Sequence, residues 1–228
     1  MPIIASSSLS SGVTLQDYLS VTQRLLHDPN ENFFPVADLI GYINEARAHT
    51  ALDTQALRKV VTYNTAAGTA NYDAQVVLAS SGLANTVMAI VDIFAIWSTE
   101  RYKLRNMAYT RLNRETRPWT IYQTWMIGWA RLGQTGVIVG PTPDQAYSTE
   151  WDLIYAPVDL TAPSDSENEL LYPQTEPVPY YAAYLARMYE EDSARAQQMM
   201  SLYRGRISES QANFVTLNDE YEEDMEGF

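Results

Sequence analysis

Few residues in this 228-residue chain could do chemistry, and their spacing argues against most of it. There are two histidines, His27 and His49, and no cysteine. Without Cys there is no thiol nucleophile, disulfide framework or cysteine zinc site. A catalytic His needs a nucleophile and an orienting group beside it. His27 instead falls where a helix should end, a position that favours a cation, and His49 falls on the polar side of the next helix. Both read as structural. Glu190, Glu191 and Asp192 are consecutive, so on a helix they point in different directions and suit a solvated face better than a metal cage. Gly136 and Gly140 lack the third glycine and the following helix of a dinucleotide site, and no phosphate-binding Lys follows them. Arg111, Arg114, Arg117 and Arg131 form a basic cluster in an acidic chain. Ion pairs with acidic loops or subunits account for them better than nucleic acid does. No metal, cofactor or catalytic residue is expected.

The composition points the same way. Fifteen Lys and Arg stand against 28 Asp and Glu, a net charge of −13. That argues against a module that grips nucleic acid, but not against a surface that DNA must slide past, because negative charge repels phosphate. The aromatic residues are mostly Tyr, 16 against five Phe and five Trp, a residue suited both to strands and to interfaces. No apolar run is long enough to span a membrane, and the N-terminal residues lack the pattern of a signal peptide.

The chain is organised around the stretch from Gly136 to Pro157. Val137, Ile138 and Val139 form a β-branched run, and the Gly140-Pro141-Thr142-Pro143-Asp144 stretch punctuates it. Tyr147, Thr149, Trp151, Leu153 and Tyr155 then alternate with polar residues, the pattern of a half-buried strand. Two strands joined by a Pro-rich connection predict a β-hairpin with Pro141, Thr142, Pro143 and Asp144 at its tip.

Upstream, Thr14 with Asp17 predicts a capped helix ending at His27-Asp28-Pro29. A second helix is predicted from Pro35 to about Thr54. Lys59 to Tyr63 reads as a strand, and Gln75 to Leu83 is ambiguous. The apolar run from Asn85 to Trp97 suits a strand covered on both faces, or two strands broken near Asp92, with a buried helix as the competing reading. Thr99 to Arg101 should turn the chain into a second hairpin, and a short helix should follow over residues 106–115. Residues 161–177 have loop composition. A long C-terminal helix is predicted from near Pro179, with Asp192 and Arg195 interrupting its apolar stripe. Residues 1–13 read as a Ser-rich arm, either solvated or ordered on a neighbour through Ile3, Ile4 and Leu9. After residue 212 an acidic tail interleaves Phe214, Leu217, Tyr221, Met225 and Phe228 with carboxylates. Such a tail is either solvated or docks on a partner.

The helical pair TLQDYLSVTQRLLHD and ADLIGYINEARAHTALDT, with VGPTPDQAYSTEWD and VPYYAAYLARMYEED downstream, resembles the head-to-tail adaptor (head completion or connector) proteins of short-tailed bacteriophages. The likeness runs in order from Thr14 to Tyr203 and lies in overall pattern rather than in an invariant motif.

The resemblance implies an α+β fold. Helices at 14–58 and 178–212 would form one bundle, with an antiparallel β-rich domain inserted at 59–160 and a linker loop at 161–177. It implies a structural virion protein at the head–tail junction, made and assembled in the host cytoplasm. Members form a ring, typically of twelve copies, that joins the capsid portal to a tail nozzle or tail tube protein and extends the DNA channel without binding DNA specifically. The tail over 213–228 would be the portal contact, through the five apolar residues named above. The tip at 141–144 would contact the tail. The alternative is another neck component, a stopper or tail tube protein.

Overall fold

The computed structural model describes residues 12–29, 33–115 and 123–223, with residues 115 and 212–223 as backbone alone. The chain divides into two compact units, Met1–Ala56 with Pro157–Phe228, and Leu57–Ala156.

The first unit is helical. Helix α1 (Leu15–Leu26) starts at Thr14, and the predicted capping box forms in full: Asp17 N–H donates to the Thr14 hydroxyl and Thr14 N–H donates to the Asp17 carboxylate. The Thr14 hydroxyl, which also donates to the Asp17 carboxylate at 2.7 Å, and then the Thr14 N–H hold that carboxyl below its ordinary pKa. His27 closes the helix in the left-handed region, at φ 58°. Helix α2 (Val36–Thr54) follows, with Pro35 at its N-cap.

The predicted long C-terminal helix is two helices, α5 (Val178–Tyr189) and α6 (Ser193–Glu223). Between them Glu191 adopts φ 62°, which stops the α5 ladder, and Asp192 restarts it by accepting from Arg195 N–H at 3.2 Å. The two helices fold back on each other, as the 4.9 Å contact between the Tyr181 and Tyr203 rings shows. Ala182, Ala183 and Ala186 on α5 are fully buried, and such small residues let its neighbours approach closely.

The second unit holds the β structure: β1 (Arg58–Asn64), β2 (Asn71–Asp73), β3 (Val87–Trp97), β4 (Glu100–Lys103), β5 (Arg105–Asn106), β6 (Gly128–Leu132), β7 (Gly136–Gly140) and β8 (Ser148–Tyr155). Two short helices join them, α3 (Ala74–Ser80), where the sequence was ambiguous, and α4 (Tyr109–Glu115). The strands make two four-stranded sheets, ordered β1-β8-β3-β4 and β2-β7-β6-β5. Every pairing is antiparallel except β5 with β6. The fold is therefore α+β, with helices from both ends of the chain flanking a central, mainly antiparallel β region.

The apolar run 87–97 is one strand, and its predicted break survives as register shifts at Val87/Ala89 and Ile90/Asp92. Its residues are mostly half-buried, so it is not covered on both faces. Ser98, at φ 57°, and Thr99 make the predicted second hairpin between β3 and β4.

The predicted 137–155 hairpin does not form. Strand β7 pairs with β6 and β2, whereas β8 pairs with β1 and β3 in the other sheet. The Pro-rich connection carries the chain from sheet to sheet. Two prolines remove the donors a tight hairpin would need, while the carbonyls along the connection are taken by others. Gly140 accepts from Ile127 at 2.9 Å, Thr142 from Thr124 at 3.0 Å and Pro143 from Gly68 at 2.8 Å. The alternating face of β8 is core: Thr149, Trp151 and Leu153 are buried, packed with Val61, Ile93, Trp129 and Val139.

Candidate docking surfaces

A buried ion pair of the helical unit joins α2 to the loop before α5. The Arg47 guanidinium donates to both Glu167 oxygens, at 2.6 and 3.0 Å, and to the Val158 carbonyl at 2.7 Å. Glu167 also accepts from the backbone of Glu169 and Leu170, each at 3.1 Å, and from the Tyr18 hydroxyl at 3.3 Å. Burial opposes ionisation of Glu167, but the Arg47 bonds and charge, with those two N–H groups, hold its carboxyl below the ordinary value. Burial, with the Glu167 charge beside it, pushes the Tyr18 hydroxyl up.

Around this hub the loop wraps the start of α1. Asp165 and Pro163 carbonyls accept from Leu15 and Gln16 N–H at 2.9 and 3.0 Å, partnering two donors that a helix start leaves open. Loop composition concealed this role of Glu167. The available signal was Arg47, a charge set on the apolar stripe of Leu39, Ile43 and Ala46, which requires a buried carboxylate.

The residues weighed for chemistry are not brought together. His49 is not simply on a polar side: its ring stacks on Tyr181, 4.4 Å between centroids, and lies 3.4 Å from Asp53. Glu190, Glu191 and Asp192 sit at the α5–α6 break rather than within a helix, with Glu190 and Glu191 exposed to solvent as expected, and Glu190 pairs with Arg187 at 2.7 Å. The Arg131 guanidinium donates to the Gly133 and Gln134 carbonyls of its own turn, so turn carbonyls hold it rather than carboxylates. Arg117 lies outside the described residues. Among the described residues no group of three His, Cys, Asp or Glu could hold a metal ion.

What the β unit does present is aromatic. Trp97 and Tyr102 are 47% and 43% exposed. The Trp125 ring stands edge-on to Trp97 at 5.1 Å, to Tyr102 at 5.8 Å and to Tyr147 at 4.7 Å. Tyr147 donates to Asp144, so the cluster adjoins the 141–144 segment. Within that segment Thr142 and Pro143 are buried, Pro141 is half-buried and Asp144 is exposed. Of the tail residues, Phe214, Leu217 and Tyr221 fall on the α6 backbone, and Met225 and Phe228 lie outside the described residues.

The sequence matches the family of SU10 adaptor proteins over residues 13–220. The chain belongs to the SU10 adaptor protein family. As an SU10 adaptor it has a structural, non-enzymatic role, joining capsid and tail components at the head–tail junction of a phage virion. Membership favours the adaptor over the stopper or tail tube alternative. No curated protein matches the sequence. No helix among the described residues is long and apolar enough to cross a membrane.

Proposed function

We propose that this adaptor works as one subunit of a closed ring, typically of twelve copies, seated between the capsid portal and a tail nozzle or tail tube protein, with DNA passing through. The observation that carries this reading is how charge divides between the units. The helical unit holds six Lys and Arg against 21 Asp and Glu, a net −15, whereas the β unit holds nine against seven, a net +2. A wall that DNA passes without binding must repel phosphate, and the helical unit has the composition for it. The near-neutral β unit, with its exposed Trp97 and Tyr102, has the residue types that concentrate binding energy at interfaces. It is therefore assigned to the tail side, with Asp144 at the margin of the contact and the buried Thr142 and Pro143 supporting it.

The portal contact is assigned to the C-terminal segment. Phe214, Leu217, Tyr221, Met225 and Phe228 recur at steps of three and four, the spacing by which a helix lays one apolar stripe into a groove. A domain layout of helical bundle, inserted β domain, linker loop and acidic tail gives a ring subunit two different surfaces, as a head-to-tail ring requires.

The test is native mass measurement of the full chain, alone and with purified portal, followed by addition of tail components. Ring formation on the portal and capture of a tail component are expected. A chain that stays monomeric on mixing with portal and captures no tail component would overturn the reading.

A further inference from the structure

The surface of the helical unit carries an apolar groove of about 340 Å³ between α1, the 172–176 loop and the start of α5. Tyr18 and Val21 of α1, Pro179 of α5 and Tyr172 of the loop line it, and Arg206 and Glu176 stand at its polar rim. Tyr172 is 66% exposed, a large aromatic left uncovered beside other apolar walls. Such a surface is costly unless something covers it.

What covers it is indicated by the residues that lead into α1. Val13 itself lines the groove. Gly12, the residue before it, sits at φ +56°, and no atom of the described residues lies within 4 Å of where its Cβ would be. Space is therefore not what a glycine supplies there; the left-handed backbone, which redirects the chain, is. The sequence before that turn is MPIIASSSLSS, without a charged side chain and with Leu9 as its nearest large apolar residue. Leu9 lies four positions before Val13, a reach of at most about 14 Å. A segment tethered this closely meets the groove at an effective concentration of order millimolar, so even a weak apolar contact is populated.

We propose that the groove is the seat of the chain's own N-terminal segment, with Leu9 as the first anchor and Ile3 and Ile4 as the second. The proposal is independent of ring formation and is tested on the isolated full chain.

The absence of cysteine makes the test clean. Two double variants, Leu9→Cys with Val21→Cys and Leu9→Cys with Tyr172→Cys, are oxidised at low micromolar concentration, and intact mass separates disulfides within a chain from those between chains. Leu9→Cys with Ser20→Cys is the reference, because Ser20 is exposed and absent from the groove lining. Tyr172→Cys removes an exposed side chain, so that pair stays informative if Val21→Cys disturbs packing. Both groove pairs should close within one chain about tenfold faster than the reference, because only a seated arm holds thiols at bonding distance. Closure at the reference rate, or disulfides mainly between chains, would overturn the proposal, the latter assigning the groove to the arm of a second copy.

Discussion

Substituting Glu167→Gln keeps the size of the side chain and removes its charge. In the native hub Glu167 accepts two bonds from Arg47, two from backbone N–H groups and one from Tyr18. Gln offers one acceptor oxygen, and its amide nitrogen would meet either the guanidinium or the backbone donors, donor against donor. The Arg47 side chain is only 1% exposed, so its charge would be left buried without a counter-ion. Breaking a buried pair from one side costs about 3–5 kcal/mol. For a chain of this size that lowers Tm by roughly 6–20 °C. Urea and thermal unfolding followed by circular dichroism at pH 7 read the loss directly.

Two further arms separate this reasoning from a generic core defect. An isolated buried ion pair can often be exchanged for apolar residues at little cost. Here Arg47→Met with Glu167→Leu would also remove the partners of the Val158 carbonyl and the Leu170 N–H, at about 1–3 kcal/mol each, so the double variant should stay clearly destabilised. The pH dependence gives the second arm. The Glu167 carboxyl has a folded-state pKa below its ordinary value of 4.5, so its contribution is complete above that value and is lost as pH falls through the folded pKa. The wild type should lose stability on acidification more steeply than Glu167→Gln. A Glu167→Gln loss below about 1 kcal/mol, with parallel pH profiles, would refute the account of the hub.

Trp151→Ala should cost about 3–5 kcal/mol in urea unfolding, because Trp151 is fully buried between the sheets and its indole N–H donates to the Thr149 hydroxyl at 2.9 Å; a loss near zero would mean the face is not core. Trp97→Ala should change stability by no more than about 1 kcal/mol, yet weaken capture of the tail component by about 2 kcal/mol, close to 30-fold. Equal tail binding by wild type and variant, measured by interferometry, would remove the aromatic cluster from the interface. Truncation after Leu217 should leave the unfolding curve unchanged while reducing assembly on the portal, and undiminished assembly would assign the tail no portal contact.

Local chemistry was legible in the sequence. Thr14 and Asp17 announce the start of α1, because a capping box needs only residues three apart. Pro35 announces α2 by the same logic. Strands β1 and β3 showed through their β-branched content. Partner choice did not show: β7 and β8 are adjacent in sequence and each reads as a strand, but the connection between them is held by donors far away in sequence, the N–H groups of Gly68, Thr124 and Ile127. The α5–α6 break was visible only as a lapse in the apolar stripe, since Glu191 adopts a conformation that favours glycine and carries no glycine to mark it. Of the candidate docking surfaces, the aromatic cluster was hidden because Trp97, Tyr102, Trp125 and Tyr147 come from separate segments, and no periodicity links them.

The charge of the chain acquires a different meaning once it is assigned to units. A single value of −13 suggests a uniformly acidic surface. In the β unit, however, three of the cations are neutralised where they stand: Arg58 by Asp152, Arg101 by Glu150 and Lys103 by Asp92, one from an edge strand on one side and two from the other. Arg101 also lies over the Phe94 ring, 3.6 Å from its centroid. Charges held in this way add little long-range field, whatever they contribute locally. The helical unit has no such balance, with 21 carboxylates against six cations, two of which, Arg47 and Arg187, are buried. Its excess therefore remains as a field. In the proposed ring, that division gives a junction protein repulsion where DNA would pass and a neutralised aromatic surface where the tail component would bind.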